Sequence, residues 1–284
     1  MLPLTATRKI ANKNGYGALL GSGISHSLSP VIHNFSAQYL NLDCSYLSFD
    51  CIPKKFPKME FFDFFWDIGA YGFNVTMPFK GDAARLFPQS KLNSVNTIFR
   101  GLTSWEATST DADGFLLGLE KLSCADFAAI ILLGNGGAAQ ALYEHFLDTT
   151  SKPMRVLRRN SERDKSWKRL PGRAEFFELS AAALQQVVEE EPNSLLIQST
   201  SGPMQGENLE FLVSGLRDLQ GPLVDLVYGT PSALLKAAQH LGLPIQDGLP
   251  MLIGQAILAQ ELWWKKSVPY IEVEQHLRQY LKQN

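Results

Sequence analysis

Short apolar runs alternate with polar segments along the first third of the chain, as is typical of successive strands and helices. The apolar runs predict three strands, at residues 17–20, 44–49 and 72–77. Ser29 and Pro30 predict the start of a helix that continues through Leu40, with the serine as its cap and the proline in its first turn. The aromatic segment 59–66 predicts a helix that packs into the core. We therefore expect this region to be α/β.

From residue 128 onward the pattern becomes regular. The predicted strands are 128–133, 154–157, 194–198 and 222–227, with helices between them. Strands that alternate with helices indicate a parallel sheet. Segments 251–264 and 273–282 predict two more helices, which we expect to fold back on the first region.

Composition narrows the class of protein. A length of 284 residues predicts two domains, and a formal net charge of −2 gives no global attraction to nucleic acid. No apolar run approaches the roughly 18–20 residues that a membrane-spanning helix needs. Cys44, Cys51 and Cys124 are too few and too irregularly spaced for a disulfide framework or a zinc site. We therefore predict a soluble, cytoplasmic protein with no metal.

Three polar side chains converge in the segment 72–80. Asn74, Thr76 and Lys80 come from one short apolar strand and the turn after it, and Pro78 favours a strand end before the lysine. About thirty residues on, Asp111 provides a carboxylate that could pair with Lys80. A lysine and aspartate pair beside a nucleotide-binding loop suggests proton-coupled redox chemistry.

A glycine-rich loop follows the strand at 128–133. It consists of small residues that let backbone amides at a helix start approach a pyrophosphate: Gly134, Asn135, Gly136, Gly137 and Ala138. Alone, this loop is equally compatible with a tight turn. Basic residues at the end of the next strand favour a 2′-phosphate over a free ribose hydroxyl, and thus NADP; the candidates there are Arg158, Arg159, Asn160 and Arg163.

Together these motifs resemble the shikimate/quinate dehydrogenase superfamily, and shikimate dehydrogenase within it. The resemblance runs from about Gly21 to Trp263. It rests on the segments 25–30, 33–34, 74–80, 95–97 and 110–111, the glycine loop, Asp225 with Tyr228, and 247–255. It implies a reversible, NADP-dependent reduction of 3-dehydroshikimate to shikimate, a step of aromatic amino acid biosynthesis.

The resemblance also implies domains and residue roles. It predicts a substrate domain with a mixed sheet at 1–112, a Rossmann-like NADP domain at 113–248, and helices at 249–284 that return to the substrate domain. Lys80 and Asp111 would be the catalytic pair. The substrate-binding residues would be Ser27, Ser29, Asn74, Thr76, Asn96, Tyr228 and Gln255. Thr200 and Gly248 would join the glycine loop and the basic residues at the cofactor. We interpret His26 and His33 as structural histidines, and Asp113 as a helix-start residue.

Departures from the family pattern leave alternatives open. Gln198 and Pro203 stand where the family usually has asparagine and glycine, so they could reshape the loop near the nicotinamide. A quinate/shikimate dehydrogenase, a related paralogue, or a non-catalytic shikimate sensor are the competing hypotheses. The expected partner is a small-molecule substrate, and the oligomeric state is expected to be a monomer or a homodimer.

Overall fold

The computed structural model describes residues 15–51, 55–122, 126–159, 161, 174–203, 206–207, 209–229 and 231–283. The predictions for residues 1–14, Cys124, Asn160 and Arg163 lie outside these ranges. The chain divides into two compact units. Unit 1 comprises Met1–Gly114 and Leu252–Asn284, and unit 2 comprises Phe115–Met251.

The helices and strands of the first part of the chain follow the predicted order. They are β1 (Tyr16–Gly21), α1 (Ser29–Tyr39), β2 (Ser45–Asp50), α2 (Met59–Asp67), β3 (Ala70–Val75), α3 (Lys80–Leu86), β4 (Thr97–Arg100), β5 (Trp105–Thr108) and α4 (Asp111–Leu119). The strands form a five-stranded sheet of order β2-β1-β3-β4-β5. β1 pairs in parallel with β2 and β3, whereas β4 pairs antiparallel with β3 and β5. The predicted mixed α/β architecture is confirmed.

Two local predictions for this region differ from the structure. The prediction of a serine cap for α1 was wrong, because Ser29 is the first helical residue and Leu28 occupies the cap position without a side-chain hydrogen bond. The strand expected to reach Met77 ends at Val75. The segment after it turns, and Lys80 becomes the first residue of α3.

Aromatic side chains form the core of unit 1. Phe62 and Phe65 of α2 are buried and meet the ring of Phe73 on β3 edge to face, with centroid distances of 5.3 and 5.5 Å. This packing confirms that segment 59–66 is a core helix. Because each large ring buries about 150–250 Å² and β3 lies at its centre, the cluster fixes the strand that leads to Lys80.

Unit 2 is a doubly wound α/β layer structure. Its elements are β6 (Ala129–Leu133), α5 (Gly137–Thr149), β7 (Met154–Arg158), β8 (Ala174–Glu178), α6 (Ala181–Glu190), β9 (Ser194–Gln198), β10 (Leu223–Asp225), α7 (Ala233–His240) and β11 (Ile245–Gln246). The order is β11-β10-β9-β6-β7-β8, and all pairs are parallel. Counted from β6, this is the 3-2-1-4-5-6 order of dinucleotide-binding domains.

The last two helices are α8 (Leu249–Trp264) and α9 (Tyr270–Gln283). From Leu252 onward they belong to unit 1. Two glycines allow α4 and α8 to approach closely: a Cβ on Gly114 would collide with the backbone of Gln255, and one on Gly254 would collide with Gly114. Farther along α8, the Trp263 indole donates to the Ile98 carbonyl at 3.0 Å. The close approach places Gln255 beside the start of α4.

Candidate functional site

A lysine and an aspartate form an ion pair in unit 1. Lys80 Nζ lies 2.6 Å from Asp111 Oδ2. Each residue is the first of its helix, Lys80 of α3 and Asp111 of α4. The lysine side chain is 15% exposed and the aspartate 1%. The carboxylate is therefore inaccessible to bulk water, while the ammonium is open on one side, so a ligand could contact it there.

Asn96 connects the aspartate to three other residues. Its Nδ2 donates to Asp111 Oδ1 at 2.8 Å, to Gln255 Oε1 at 3.0 Å and to Thr110 Oγ1 at 3.1 Å. Its Oδ1 accepts from the Thr110 backbone amide at 2.8 Å and from the Thr97 hydroxyl at 2.9 Å. Asn96 is buried. This one amide therefore fixes the carboxylate that faces Lys80.

Gln255 is tied to the same network from the C-terminal helix. Its side-chain oxygen accepts from Asn96, and its backbone carbonyl accepts from the Thr110 hydroxyl at 3.2 Å. Its side chain remains partly exposed. Two residues far apart in sequence, Asn96 and Gln255, are thus brought together beside the ion pair. Their role in substrate binding remains a prediction.

Asn74 on β3 lies one step farther along the network. Its Oδ1 accepts from the Tyr46 hydroxyl at 2.7 Å, and its Nδ2 donates to the Asn96 carbonyl and the Thr97 hydroxyl at 3.3 and 3.2 Å. Burial raises the pKa of Tyr46 well above its ordinary value, so the phenol remains a donor. The Asn74 amide is therefore held in one orientation by protein groups on both of its sides.

Three further predicted residues lie at strand and helix ends of unit 1. The Ser27 and Ser29 hydroxyls are 3.3 Å apart, and the Ser29 amide donates to Ser27 Oγ at 3.3 Å. Thr76 follows β3 directly, and its backbone amide donates to the Leu20 carbonyl at the end of β1. Its side chain is partly exposed. All three hydroxyls lie within one unit with the ion pair.

His33 is a structural residue behind this region. It is 1% exposed, its ring lies 4.3 Å from that of Tyr46, and Gln260 Nε2 lies 3.3 Å from its Nδ1. Burial lowers the pKa of His33 to about 3, despite an opposing hydrogen bond with Asn74. The histidine is therefore neutral near pH 7. Sequence reasoning missed Tyr46 and Gln260, because only the strand register and the return of α8 reveal their contacts.

In unit 2 the glycine loop connects β6 to α5. Gly134 has a φ of +107°, and its amide donates to the Leu157 carbonyl at 2.7 Å. A Cβ there would lie 3.0 Å from the Thr200 methyl. Gly136 is the cap residue of α5, which begins at Gly137 and continues through Ala138. Asn135, between the glycines, is buried and has polar contacts of its own. The loop thus presents the start of α5 without bulky side chains.

Polar atoms without partners lie around this loop. Thr200 Oγ1 and Gln140 Nε2 are buried and have no hydrogen-bond partner within the described part of the chain. Gln140 belongs to the first turn of α5, and Thr200 packs against Gly134. Because buried polar atoms are normally satisfied, these two have hydrogen-bonding capacity that a polar ligand at the loop would fill.

Gln198, a departure from the family pattern, is used internally. Its Oε1 accepts from the Thr200 amide at 2.5 Å, and its Nε2 donates to the Thr200 carbonyl at 3.2 Å and to Asp225 Oδ1 at 3.3 Å. Burial raises the pKa of Asp225. The longer side chain therefore fixes the main chain of Thr200. In the same unit, the Gly248 amide donates to the Val227 carbonyl, next to the partly exposed Tyr228.

The two described arginines after the glycine loop have different surroundings. Arg158 turns toward the neighbouring strand, where its Nη1 donates to the Phe177 carbonyl at 3.2 Å. Arg159 forms a two-pronged ion pair with Glu207, with 2.8 Å between Nη1 and Oε2. The hydrogen bond with Glu207 raises the pKa of Arg159 further. The Arg159 side chain is half exposed, and Glu207 contacts both of its terminal nitrogens.

Among the described residues, no group of three or more histidine, cysteine, aspartate and glutamate side chains could hold a metal ion. None of the helices in the described ranges is long and apolar enough to cross a membrane.

Comparison with known proteins places this geometry in a family. Residues 19–98 match the family model described as shikimate dehydrogenase substrate binding domain. Over 96% of the chain and 98% of the relative, the sequence is 32% identical to shikimate dehydrogenase (NADP(+)) of Gloeothece citriformis.

Solved structures give the same result. The crystal structure of shikimate dehydrogenase from Aquifex aeolicus is 28% identical, with a TM-score of 0.78 over 94% of this chain and 98% of that one. Shikimate 5-dehydrogenase from Thermus thermophilus, solved in complex with shikimate, is 26% identical with a TM-score of 0.74 over 94% and 99% of the two chains. The resemblance inferred from the sequence motifs is confirmed.

Proposed function

The chain belongs to the shikimate dehydrogenase family, and from this premise we propose that it catalyses the reversible, NADP-dependent reduction of 3-dehydroshikimate to shikimate. The observation that carries the proposal is the Lys80–Asp111 pair, at 2.6 Å, beside the amides of Asn96 and Gln255. Reduction of a ring carbonyl requires a proton donor at the oxygen that becomes a hydroxyl. Lys80 Nζ is the partly exposed cation in this group.

We propose that Lys80 transfers the proton and that Asp111 orients the Lys80 ammonium. Lys80 Nζ gives its proton to the nascent alkoxide in the reduction and takes it back in the oxidation. The Lys80 ammonium donates one of its three hydrogens to Asp111 Oδ2, and its other hydrogens can contact ligand oxygens. Asn96 holds the second carboxylate oxygen. Proton transfer by a positioned side chain contributes about 10²–10⁴-fold to the rate.

The remaining residues of unit 1 supply donors and acceptors to a polyhydroxylated ring. Gln255 and Thr76 have partly exposed side chains with amide and hydroxyl groups, which suit ring hydroxyls. Ser27 and Ser29 offer two hydroxyls at the N-terminal end of α1, where the helix dipole favours a carboxylate. Asn74 contributes by holding its neighbours, because its amide already bonds Tyr46 and Thr97. Tyr228 remains a predicted substrate-binding residue.

The residues around the glycine loop fit a phosphorylated dinucleotide. The unpartnered Thr200 Oγ1 and Gln140 Nε2 offer polar contacts, and Gly134 leaves space that a side chain would fill. The start of α5 would hold the pyrophosphate, and Arg159 the 2′-phosphate. When bound, NADP exchanges the hydride with the substrate. Asn160, Arg163 and Gly248 remain predicted cofactor contacts.

A turnover assay tests the proposal. We expect shikimate-dependent reduction of NADP, with a higher kcat/KM than for quinate or for NAD. A preference for quinate with NAD would instead favour the quinate/shikimate dehydrogenase hypothesis. Shikimate binding in calorimetry without any turnover would favour a non-catalytic sensor and would refute the proposed reaction.

Substitution of Lys80 tests the assigned role. Lys80→Ala should lower kcat by about 10²–10⁴-fold and change KM for shikimate much less, because the proton moves in the transition state. Lys266→Ala, which removes an exposed lysine of the same unit, is the matched control and should leave both constants unchanged. If Lys80→Ala raised KM for shikimate and left kcat nearly unchanged, the lysine would have a role in binding instead of proton transfer.

A further inference from the structure

The ion pair between Arg159 and Glu207 has no role in the proposed reaction. Arg159 follows β7, the second strand of the sheet when counted from β6, where a dinucleotide-binding domain meets the adenosine ribose. Both of its terminal nitrogens contact Glu207, with Nη1 at 2.8 Å from Oε2 and Nη2 against Oε1. A carboxylate thus occupies the two-pronged donor face that would also suit a phosphate.

The position of Glu207 depends on Gly202, which follows β9. Its backbone amide donates to the Gly202 carbonyl at 3.0 Å. Its carboxylate lies where a Cβ on Gly202 would be, so a larger residue at position 202 would displace it. The Arg159 guanidinium also lies 5.6 Å from the ring centre of Phe211. Gly202 and Phe211 therefore support the contact between Arg159 and Glu207 in addition to the attraction of the two charges.

We propose that Glu207 is a specificity-determining residue, whose carboxylate competes with the 2′-phosphate of the cofactor for Arg159 and so lowers the preference for NADP over NAD. The inference rests on the proposed NADP-dependent function. A 2′-phosphate can take both Arg159 nitrogens only when Glu207 leaves them, and the displaced carboxylate repels the phosphate that replaces it. A free ribose 2′-hydroxyl meets neither cost, and a carboxylate can accept its hydrogen bond.

The size of the effect follows from the exposure of the pair. Arg159 is 50% exposed and Glu207 34%. Exposed ion pairs and screened repulsion are both weak, so removal of the Glu207 charge should strengthen binding of a 2′-phosphate by about three- to tenfold. Because both charges are partly exposed, raising the salt concentration should reduce this gain.

Calorimetry on the full chain measures this effect without turnover. The probes are adenosine 2′,5′-bisphosphate, which carries the 2′-phosphate, and adenosine 5′-monophosphate, which lacks it. Glu207→Gln should strengthen binding of the bisphosphate by about three- to tenfold and change binding of the monophosphate less than about twofold. The matched control is Glu178→Gln, which removes the same charge at the end of β8, opposite Arg158 in the sheet register, and should leave both affinities within about twofold.

A double-mutant cycle identifies the route of the effect. In an Arg159→Ala background, Glu207→Gln should no longer strengthen bisphosphate binding, because the competition requires the guanidinium. No gain in Glu207→Gln, an equal gain for the monophosphate, or an equal gain without Arg159 would each overturn the inference. Shikimate turnover by the wild type is measured separately, so an active enzyme without this gain refutes the role of Glu207 and leaves the proposed function standing.

Discussion

Asn96→Ala should strongly destabilise unit 1. The change removes an amide that bonds Asp111, Thr110, Gln255 and Thr97 while it is itself buried. It leaves two buried groups without this partner, the Thr110 backbone amide and Asp111 Oδ1. An unsatisfied buried group costs about 1–3 kcal/mol, with charged groups at the upper end. We therefore expect a loss of about 3–5 kcal/mol.

Urea unfolding followed by tryptophan fluorescence measures this loss. Four of the five tryptophans, Trp66, Trp105, Trp263 and Trp264, belong to unit 1, so the signal reports mainly on that unit. The midpoint should fall at an unchanged slope. Gln38→Ala, which removes a similar amide from the exposed face of α1, is the matched control and should cost less than about 0.5 kcal/mol. A loss below about 1 kcal/mol in Asn96→Ala would show that the network does not hold the carboxylate as described.

Two further predictions concern His33 and Gly134. Because the pKa of His33 falls to about 3 in the folded protein, only the unfolded chain gains this proton between pH 6.5 and 3, and stability decreases as the pH falls through that range. Between pH 7 and pH 5.5 the proton on His33 should account for about 1 kcal/mol of lost stability. The urea midpoint of His33→Gln should therefore fall less with decreasing pH than that of the wild type. An identical fall in both proteins would contradict this account of His33. Gly134→Ala places a Cβ on a residue with a φ of +107°, so it should lower the free energy of unfolding by about 1–3 kcal/mol and weaken NADP binding in calorimetry. Gly81→Ala is the control, because its Cβ would meet no atom closer than 3.7 Å, and it should have neither effect.

The sequence contains strong signals for elements and for residues at their ends. Periodicity predicted β9 at 194–198. The segment 72–80 was predicted to release Lys80 at a strand edge, where it could pair with Asp111. The pair is present at 2.6 Å, but Lys80 begins a helix instead. Such predictions succeed because a buried strand is apolar and a polar residue just after it lies at the edge of the sheet.

Contacts that depend on register and helix return were not predictable in the same way. The bond between Tyr46 and Asn74 exists because β1 lies between β2 and β3, an order that no local pattern specifies. The contact of Gln260 with Ser36 at 2.9 Å joins residues more than two hundred positions apart. Likewise, Arg159 was predicted from its charge, but its partner Glu207 lies 48 positions away along the chain. Only tertiary packing decides such pairs.

The discontinuity of unit 1 has a consequence for biosynthesis. Residues 252–283 leave the ribosome after all of unit 2, yet they provide Gln255, Gln260 and Trp263 to the sheet and polar network of unit 1. Unit 2 is one continuous stretch and has all its strands as soon as residue 251 has emerged. The nascent chain therefore completes its second unit first, and the polar network around Lys80 and Asp111 gains Gln255 only after unit 2 has been synthesised.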